Sequence, residues 1–262
     1  MTTTVEGAAP SERRHVLSDL GWTVARTEDA MEGSARISPE MHVPGTDHLR
    51  VSILAAWADV LAGHLAIYSV GPRVPVTLEL DVHLFAPAPS WGTVVGVAKA
   101  VKVGRSVFVA RVDFTAGEGE PIGFAGLSFM AAPDQRLTIA IPDTTGQPMP
   151  ESTNRLSVPW AERAGCERVA PGVAQLGHSD EVLNASNTVN GGLIALATEE
   201  AVLSLSPGAT LSSLALHYLQ PARVGPVVAE ADVRQGLGQV EVRDAGNENR
   251  LCVVATSRTF DD

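Results

Sequence analysis

The sequence has little of what marks secreted or membrane proteins. It has only two cysteines, Cys166 and Cys252, and their separation fits neither a metal site nor a disulfide framework, so we expect a reducing compartment. No apolar run approaches the roughly 18 residues that cross a bilayer. Residues 1–17 lack the apolar core of a signal peptide. We therefore expect a cytoplasmic protein that does not associate with membranes.

Positive charge is also scarce. The 262 residues carry 19 Lys and Arg against 30 Asp and Glu, which gives a formal net charge of −11, and no segment forms a basic patch. Proteins that wrap nucleic acid neutralise its phosphates with clustered Lys and Arg, so no nucleic-acid partner is expected. Only two of the 19 basic residues are lysines, a bias found in GC-rich bacterial genomes.

An internal repeat is the most informative feature that the sequence does contain. Five landmarks recur in the same order in both halves: Gly21 and Gly165, Asp59 and Glu199, segments 80–87 and 214–221, Gly92 and Gly225, and turns at Gly104 and Gly236. The offset falls from 144 for the first pair to 132 for the last, as loop deletions in the second copy would produce. The repeat predicts two domains of one fold.

The predicted domains are separated by segments of polar composition. We expect an N-terminal arm over residues 1–18 and a first domain over 19–133. A linker rich in proline follows over 134–156, and the second domain covers 157–262.

Each copy reads as a strand, one apolar helix and three or four long strands. In the first copy, segments 93–100, 107–114 and 122–130 are rich in Val and Phe, which predicts an antiparallel meander. Residues 51–58 are apolar almost all round, so this helix is expected to be buried. The pattern predicts an α+β fold in which a curved antiparallel sheet wraps around a central helix in each domain.

Carboxylates interrupt both apolar helices. Asp59 is the one formally charged residue of segment 51–72, and Glu199 and Glu200 are the charged residues of segment 191–222. A buried carboxylate loses hydration, so its pKa rises unless donors satisfy it. A general base or nucleophile would explain such residues, and an acid on a narrow wet edge of the helix is the other interpretation.

The second helix is expected to begin at Asn190-Gly191-Gly192. Asparagine is a good N-cap, but two glycines in the first turn cost roughly 1 kcal/mol each relative to alanine. The first N–H groups of a helix have no intrahelical acceptor, so a Gly-Gly start lets a polarised carbonyl approach, as in an oxyanion hole. The alternative is that the glycines serve a tight strand-to-helix turn.

With Asn184, Asn190-Gly191-Gly192 and Glu199, the second half resembles the hotdog-fold acyl-CoA thioesterases of the PaaI-like branch. That family has Asn, then six residues on His-Gly-Gly, then Asp or Glu nine residues after the His, and the spacing here is the same. Segment 218–225 also looks like the family's second strand. The resemblance covers both halves and implies a double hotdog, two tandem domains that imitate the family's usual dimer.

In the family, the Asn and His-Gly-Gly loop of one protomer faces the carboxylate of the other. Applied to this chain, the resemblance implies one site made of Asp59, Thr77, Asn184, Asn190, Gly191 and Gly192. The family's His is Asn190 here, which can cap the helix but cannot titrate near neutral pH. The mirror site would join Glu199 to a loop that carries Pro44 and Arg50 and lacks Gly-Gly, and we expect it to be degenerate.

The function implied by the resemblance is hydrolysis of an acyl-CoA thioester. Gly191 and Gly192 would polarise the carbonyl and Asn184 would orient it or the water. Asp59 would act as general base or nucleophile, with Thr77 holding the water. Coenzyme A enters as part of the substrate, and no other cofactor and no metal is implied.

Contacts to the coenzyme A phosphates need local positive charge in an acidic protein. The residues proposed for this role are Arg105, Arg223 and Arg234. No histidine has catalytic or metal-ligand spacing. An acyl-CoA-binding protein without turnover is the alternative, because Asn replaces the family's His, and further self-association of the chain stays open.

Overall fold

A computed structural model of the chain describes residues 15–140 and 152–260. Most of the predicted arm and the centre of the predicted linker, with Pro142, Pro148 and Pro150, lie outside these residues. The first half contains β1 (Thr23–Arg26), β2 (Ala30–Arg36), α1 (Val51–Val70), β3 (Pro75–Leu84), β4 (Thr93–Val103), β5 (Val107–Ala116) and β6 (Glu120–Ala131). The second contains α2 (Trp160–Ala164), β7 (Cys166–Ala170), β8 (Val173–Leu176), α3 (Gly191–Leu205), β9 (Leu211–Tyr218), β10 (Val227–Arg234), β11 (Leu237–Asp244) and β12 (Arg250–Thr259).

The antiparallel meander predicted for the first half is present as β4, β5 and β6. The prediction of a single strand before each helix is wrong, because a two-stranded hairpin precedes each one, β1–β2 and β7–β8. The second hairpin turns at Pro171-Gly172, where Gly172 has a φ of 76° that suits glycine. The strands of these hairpins are only four to seven residues long. The sequence pattern of two such short strands is difficult to distinguish from that of one strand.

All twelve strands join one antiparallel sheet, in the order β1-β2-β4-β5-β6-β3-β9-β12-β11-β10-β8-β7. The halves meet where β3 pairs with β9, with Asp81 opposite Ala215 and Leu80 opposite Leu216. Asp81 and Ala215 are equivalent positions of the repeat. The equivalent strands of the two copies therefore pair with each other, and these equivalent positions lie directly opposite. The two copies are therefore arranged about this pair like the subunits of a two-fold dimer.

The long helix α1 lies in the core of the first half. Every residue from Val51 to Ala58 is buried, and the helix packs against β3, β4, β5 and β6. By length and composition α1 could cross a membrane, since an 18-residue window has a mean hydropathy of 1.5, so the expectation that no apolar run approaches this length is wrong here. However, 72% of that window is buried inside the fold, which accounts for its apolar character.

The helices α1 and α3 pack on each other where the two halves meet. At this crossing Gly192 lies against Ala56, and a Cβ on Gly192 would come within 2.7 Å of the Ala56 Cα atom. Real side chains do not approach a backbone atom so closely, so Gly192 lets the first turn of α3 reach the backbone of α1.

The carboxylate of Glu199 on α3 caps the start of α1. It accepts hydrogen bonds from the Val51 N–H (2.9 Å), the Ser52 Oγ (2.6 Å) and the Arg50 Nη1 (3.2 Å). Arg50 is 1% exposed and also forms an ion pair with Glu200 at 2.6 Å. The carboxylate is stabilised at this point because the first N–H groups of a helix lack intrahelical acceptors and lie at the positive end of its dipole.

We expect the Glu199→Ala substitution to destabilise the protein by about 3–5 kcal/mol, because it removes one partner of a buried ion pair and uncaps α1. The free energy of unfolding in urea at neutral pH measures the loss. Glu241→Ala is the matched control, since Glu241 pairs with Arg243 at an exposed position and its loss should cost less than about 1 kcal/mol. A cost for Glu199→Ala as small as that of the control would contradict the assignment.

Candidate active site

A cavity of about 580 Å³ opens at the junction of the two halves. Asp59 on α1 and Thr77 on β3 line it from the first half, and Asn184, Asn190 and Gly191 line it from the second. The structure thus brings onto one surface five of the six residues that the resemblance assigns to a shared site. The sixth, Gly192, lies instead at the helix crossing.

Asp59 has one hydrogen bond within the described part of the chain, and it comes from Thr77. The Thr77 Oγ1 donates to the Asp59 Oδ1 at 2.8 Å. Burial raises the pKa of Asp59 above its ordinary value, and the Thr77 hydrogen bond and the nearby His64 oppose this rise. Asp59 is therefore a partly buried carboxylate whose basicity is raised and whose orientation is set by Thr77.

Asn184 holds the loop that precedes α3. Its Oδ1 accepts hydrogen bonds from the Ser186 N–H at 2.9 Å and from the Thr188 Oγ1 at 3.0 Å. Backbone N–H groups can bond only to the amide oxygen, so the side-chain NH₂ group of Asn184 is what this residue can offer to the cavity that it lines.

Asn190 is the N-cap of α3, as its residue type predicts. Its Oδ1 accepts a hydrogen bond from the Gly192 N–H at 2.8 Å. Because that N–H is occupied, the expectation that Gly192 helps to polarise a carbonyl does not fit this geometry. The Gly191 N–H, by contrast, has no acceptor among residues 15–140 and 152–260, and Gly191 lines the cavity. Gly191 is therefore the one backbone donor of this pair that is open to a ligand.

Tyr218, at the end of β9, is a cavity residue that sequence reasoning did not identify. Its hydroxyl donates to the Gly191 carbonyl oxygen at 2.9 Å, and a Cβ on Gly191 would come within 3.0 Å of the hydroxyl oxygen. Burial and the charge of Asp59 raise the pKa of Tyr218 well above its usual value, so it stays a neutral donor. Tyr218 thus holds the first turn of α3 in place.

His64 also lines the cavity, although no spacing in the sequence singles it out. Its Nδ1 lies 2.7 Å from the Val60 carbonyl oxygen, one helical turn earlier. This contact requires a proton on Nδ1, because a carbonyl oxygen can only accept a hydrogen bond.

The three arginines proposed to meet phosphates have different positions. Arg223 lines the cavity and donates to the Ser186 carbonyl oxygen at 3.3 Å. Arg105 lies in the turn between β4 and β5, and Arg234 pairs with Asp232 on the surface. Since neither lines the cavity, the expectation of a phosphate contact there does not fit Arg105 or Arg234.

Glu199 does not belong to an open site either. It is fully buried, and both of its oxygens accept hydrogen bonds from the first turn of α1 and from Arg50. In the repeat Arg50 corresponds to Asn190, and Leu211 corresponds to Thr77, so the mirror position has an ion pair in place of an amide and a leucine in place of the hydroxyl of β3. A catalytic role for Glu199 does not fit, because no face of its carboxylate is open to a substrate.

The described residues contain no candidate metal site. Among them, no group of three or more His, Cys, Asp and Glu side chains could hold a metal ion.

Comparison with known proteins agrees with this architecture. The family model described as the thioesterase superfamily matches residues 52–122, which include Asp59 and Thr77. No curated protein sequence matches the chain.

Solved structures with the same fold span nearly the whole chain. The 12:0-ACP thioesterase from Umbellularia californica is 12% identical, with a TM-score of 0.64 over 89% of this chain and 98% of that one. An acyl-ACP thioesterase from Bacteroides thetaiotaomicron is 15% identical, with a TM-score of 0.60 over 88% and 98%. A candidate thioesterase II from Thermobifida fusca is 18% identical, with a TM-score of 0.55 over 97% and 100%. Residues 52–122 are therefore similar to the thioesterase superfamily, and the whole chain shares with these solved structures the fold of two hotdog units in tandem.

Proposed function

We propose that the chain hydrolyses acyl-CoA thioesters in the shared cavity, with Asp59 as the general base. The observation that carries this proposal is the pairing of a carboxylate of raised pKa from one half with the open Gly191 N–H from the other. A base and an oxyanion donor that line one cavity are what acyl transfer to water requires.

The reaction follows from these positions. The thioester carbonyl oxygen accepts a hydrogen bond from the Gly191 N–H at the positive end of α3, and the NH₂ groups of Asn184 and Asn190 are further donors. Asp59 takes a proton from water as the water oxygen bonds to the carbonyl carbon. The tetrahedral intermediate then collapses, the C–S bond breaks, and the proton passes from Asp59 to the leaving sulfur. The products are a carboxylic acid and a thiol.

A titrating histidine at position 190 is not needed for this sequence of steps. A free thiol has a pKa of about 8.5, so a thiolate leaves readily without strong acid assistance. Asn190 retains the two functions that the geometry requires at this position, since its oxygen caps α3 and its NH₂ group remains as a donor. The nucleophilic alternative, in which Asp59 attacks the carbonyl directly, uses the same residues.

The proposal also concerns the carrier to which the acyl group is attached. Arg223 and Gln220 line the cavity on the side of the second half, and a guanidinium there suits a phosphorylated carrier. Two of the similar solved structures are named for acyl-ACP, so hydrolysis of the same acyl group on coenzyme A and on acyl carrier protein should be compared. The PaaI-like branch, a bacterial source, a cytoplasmic location and self-association stay predictions from the sequence.

We expect Asp59→Asn to lower kcat/KM for acyl-CoA hydrolysis by about 10²–10⁴-fold, because the amide cannot accept the proton from water. Release of free thiol measures the rate. Asp29→Asn, in the exposed turn between β1 and β2, is the matched control and should retain full activity. Glu199→Gln, assayed at a temperature where it stays folded, should keep its kcat.

Two outcomes would contradict this assignment. Activity retained in Asp59→Asn would remove Asp59 from the chemistry, and equal losses in Asp59→Asn and Glu199→Gln would show that the two carboxylates act alike. Tight acyl-CoA binding by the wild type without turnover would favour the alternative of a ligand-binding protein.

The hydrogen bond from Thr77 makes a separate prediction about pH. That bond lowers the pKa of Asp59, so Thr77→Val should raise it, and a higher pH is then needed to ionise the base. The acid limb of the kcat/KM profile should therefore move to higher pH. Thr256→Val, at an exposed position of β12, is the control and should leave the profile unchanged. A shift to lower pH in Thr77→Val, or no shift, would contradict the role of Thr77.

A further inference from the structure

We propose that the acyl chain lies along α1 in the first half of the protein and that Gly63 sets the length of chain that fits. This inference rests on the proposed function, because it takes the thioester to lie between Asp59 and Gly191. It assigns the two ends of the cavity to the two ends of the substrate and identifies a residue that determines specificity.

The two ends of the cavity differ in polarity. Toward the first half the lining is mostly aliphatic, with Val60, Ile67, Val74, Val76, Leu137 and Ile139. Toward the second half it carries polar groups, among them Ser186, Gln220 and Arg223. An acyl tail gains free energy by leaving water for the aliphatic end, whereas a polar, anionic carrier is favoured at the other.

Two polar side chains at the aliphatic end already have partners. His64 contacts the Val60 carbonyl oxygen through Nδ1, and Asp134 forms an ion pair with Arg136 at 2.8 Å. The Arg136 side chain is 90% exposed, so that pair lies at the surface. Neither residue therefore makes this end of the cavity a binding place for a charged group.

One side of the aliphatic end is lined by a segment that backbone hydrogen bonds hold in place. The Ala132 N–H donates to the Val74 carbonyl at 2.8 Å, the Val74 N–H to the Leu137 carbonyl at 3.0 Å, and the Ile139 N–H to the Pro72 carbonyl at 2.8 Å. These bonds fix the backbone that carries Leu137 and Ile139 on this side of the cavity.

Gly63 lies in the interior of α1, one turn after Asp59 and one turn before Ile67, on the side that lines the cavity. Glycine inside a helix costs roughly 0.5–1 kcal/mol relative to alanine. A Cβ on Gly63 would meet no heavy atom within 4 Å, so no packing contact requires glycine here. This distinguishes Gly63 from Gly191 and Gly192, whose close neighbours explain them. A side chain at position 63 would extend into the cavity on the helix face that Val60 and Ile67 also line, which is the aliphatic end.

The test is the chain-length profile of Gly63→Leu, measured as kcat/KM on saturated acyl-CoAs from acetyl to palmitoyl. We expect a loss of at least about tenfold for the longest chain that the wild type hydrolyses, with acetyl-CoA hydrolysis changed less than about twofold. Ser69→Leu places the same side chain at an exposed position of the same helix and should keep the wild-type profile. Gly63→Ala should give an intermediate profile and a raised melting temperature, because it adds a helix former without a clash.

Two results would overturn the inference about Gly63: an unchanged profile in Gly63→Leu, or an equal loss at every chain length. A wild-type protein that hydrolyses no acyl thioester would refute the proposed function instead. In that case the Kd of palmitoyl-CoA for Gly63→Leu tests the inference about Gly63. Weaker binding than that of the wild type would support the inference, and equal binding would overturn it.

Discussion

Each long helix of this protein presents a carboxylate near the first turn of the other. Glu199 of α3 accepts hydrogen bonds from the start of α1, and Asp59 of α1 lines a cavity with Gly191 at the start of α3. This arrangement follows from the two-fold relation of the halves, which makes the helices cross where β3 pairs with β9. The first turn of each helix has N–H groups without intrahelical acceptors, and a carboxylate removed from water needs hydrogen-bond donors. A carboxylate that reaches these N–H groups directly is therefore stabilised at the crossing.

The two crossings have different roles, one structural and one proposed to be catalytic. At one of them, Arg50 and Ser52 fill the space and bond to Glu199, which leaves no room for a ligand. At the other, Asn190 and Gly192 take the corresponding places, Asp59 has a single hydrogen bond among the described residues, from Thr77, and the remaining space is a cavity. The closed crossing joins the halves through an ion pair, and the open one keeps a carboxylate with a raised pKa in the same cavity as the Gly191 N–H, which has no acceptor among the described residues. Neither half contains both parts of the open site.

Several of these features could be predicted from the sequence because they depend on local pattern. The order of landmarks in the repeat, the long strands of the first-half meander and the apolar character of residues 51–58 are all properties of short segments. The resemblance added the pairing of Asp59 and Thr77 with the loop that begins at Asn184. Asn190 was identifiable as an N-cap by its residue type and its place before an apolar run.

Other features depend on contacts between distant segments, which no local pattern reports. Gly192 has the spacing of an oxyanion donor, yet its N–H is taken by Asn190 and its missing side chain makes room for Ala56. Glu199 and Asp59 both interrupt an apolar helix in the sequence, and the three-dimensional position of Arg50 distinguishes the two. Tyr218 and Gly63 reach the cavity through the fold alone.

Binding stoichiometry tests the central claim, that one crossing is open and the other closed, most directly. Titration calorimetry of the wild-type chain with a non-hydrolysable thioether analogue of an acyl-CoA should give one molecule bound per chain, and two molecules per chain would contradict the account.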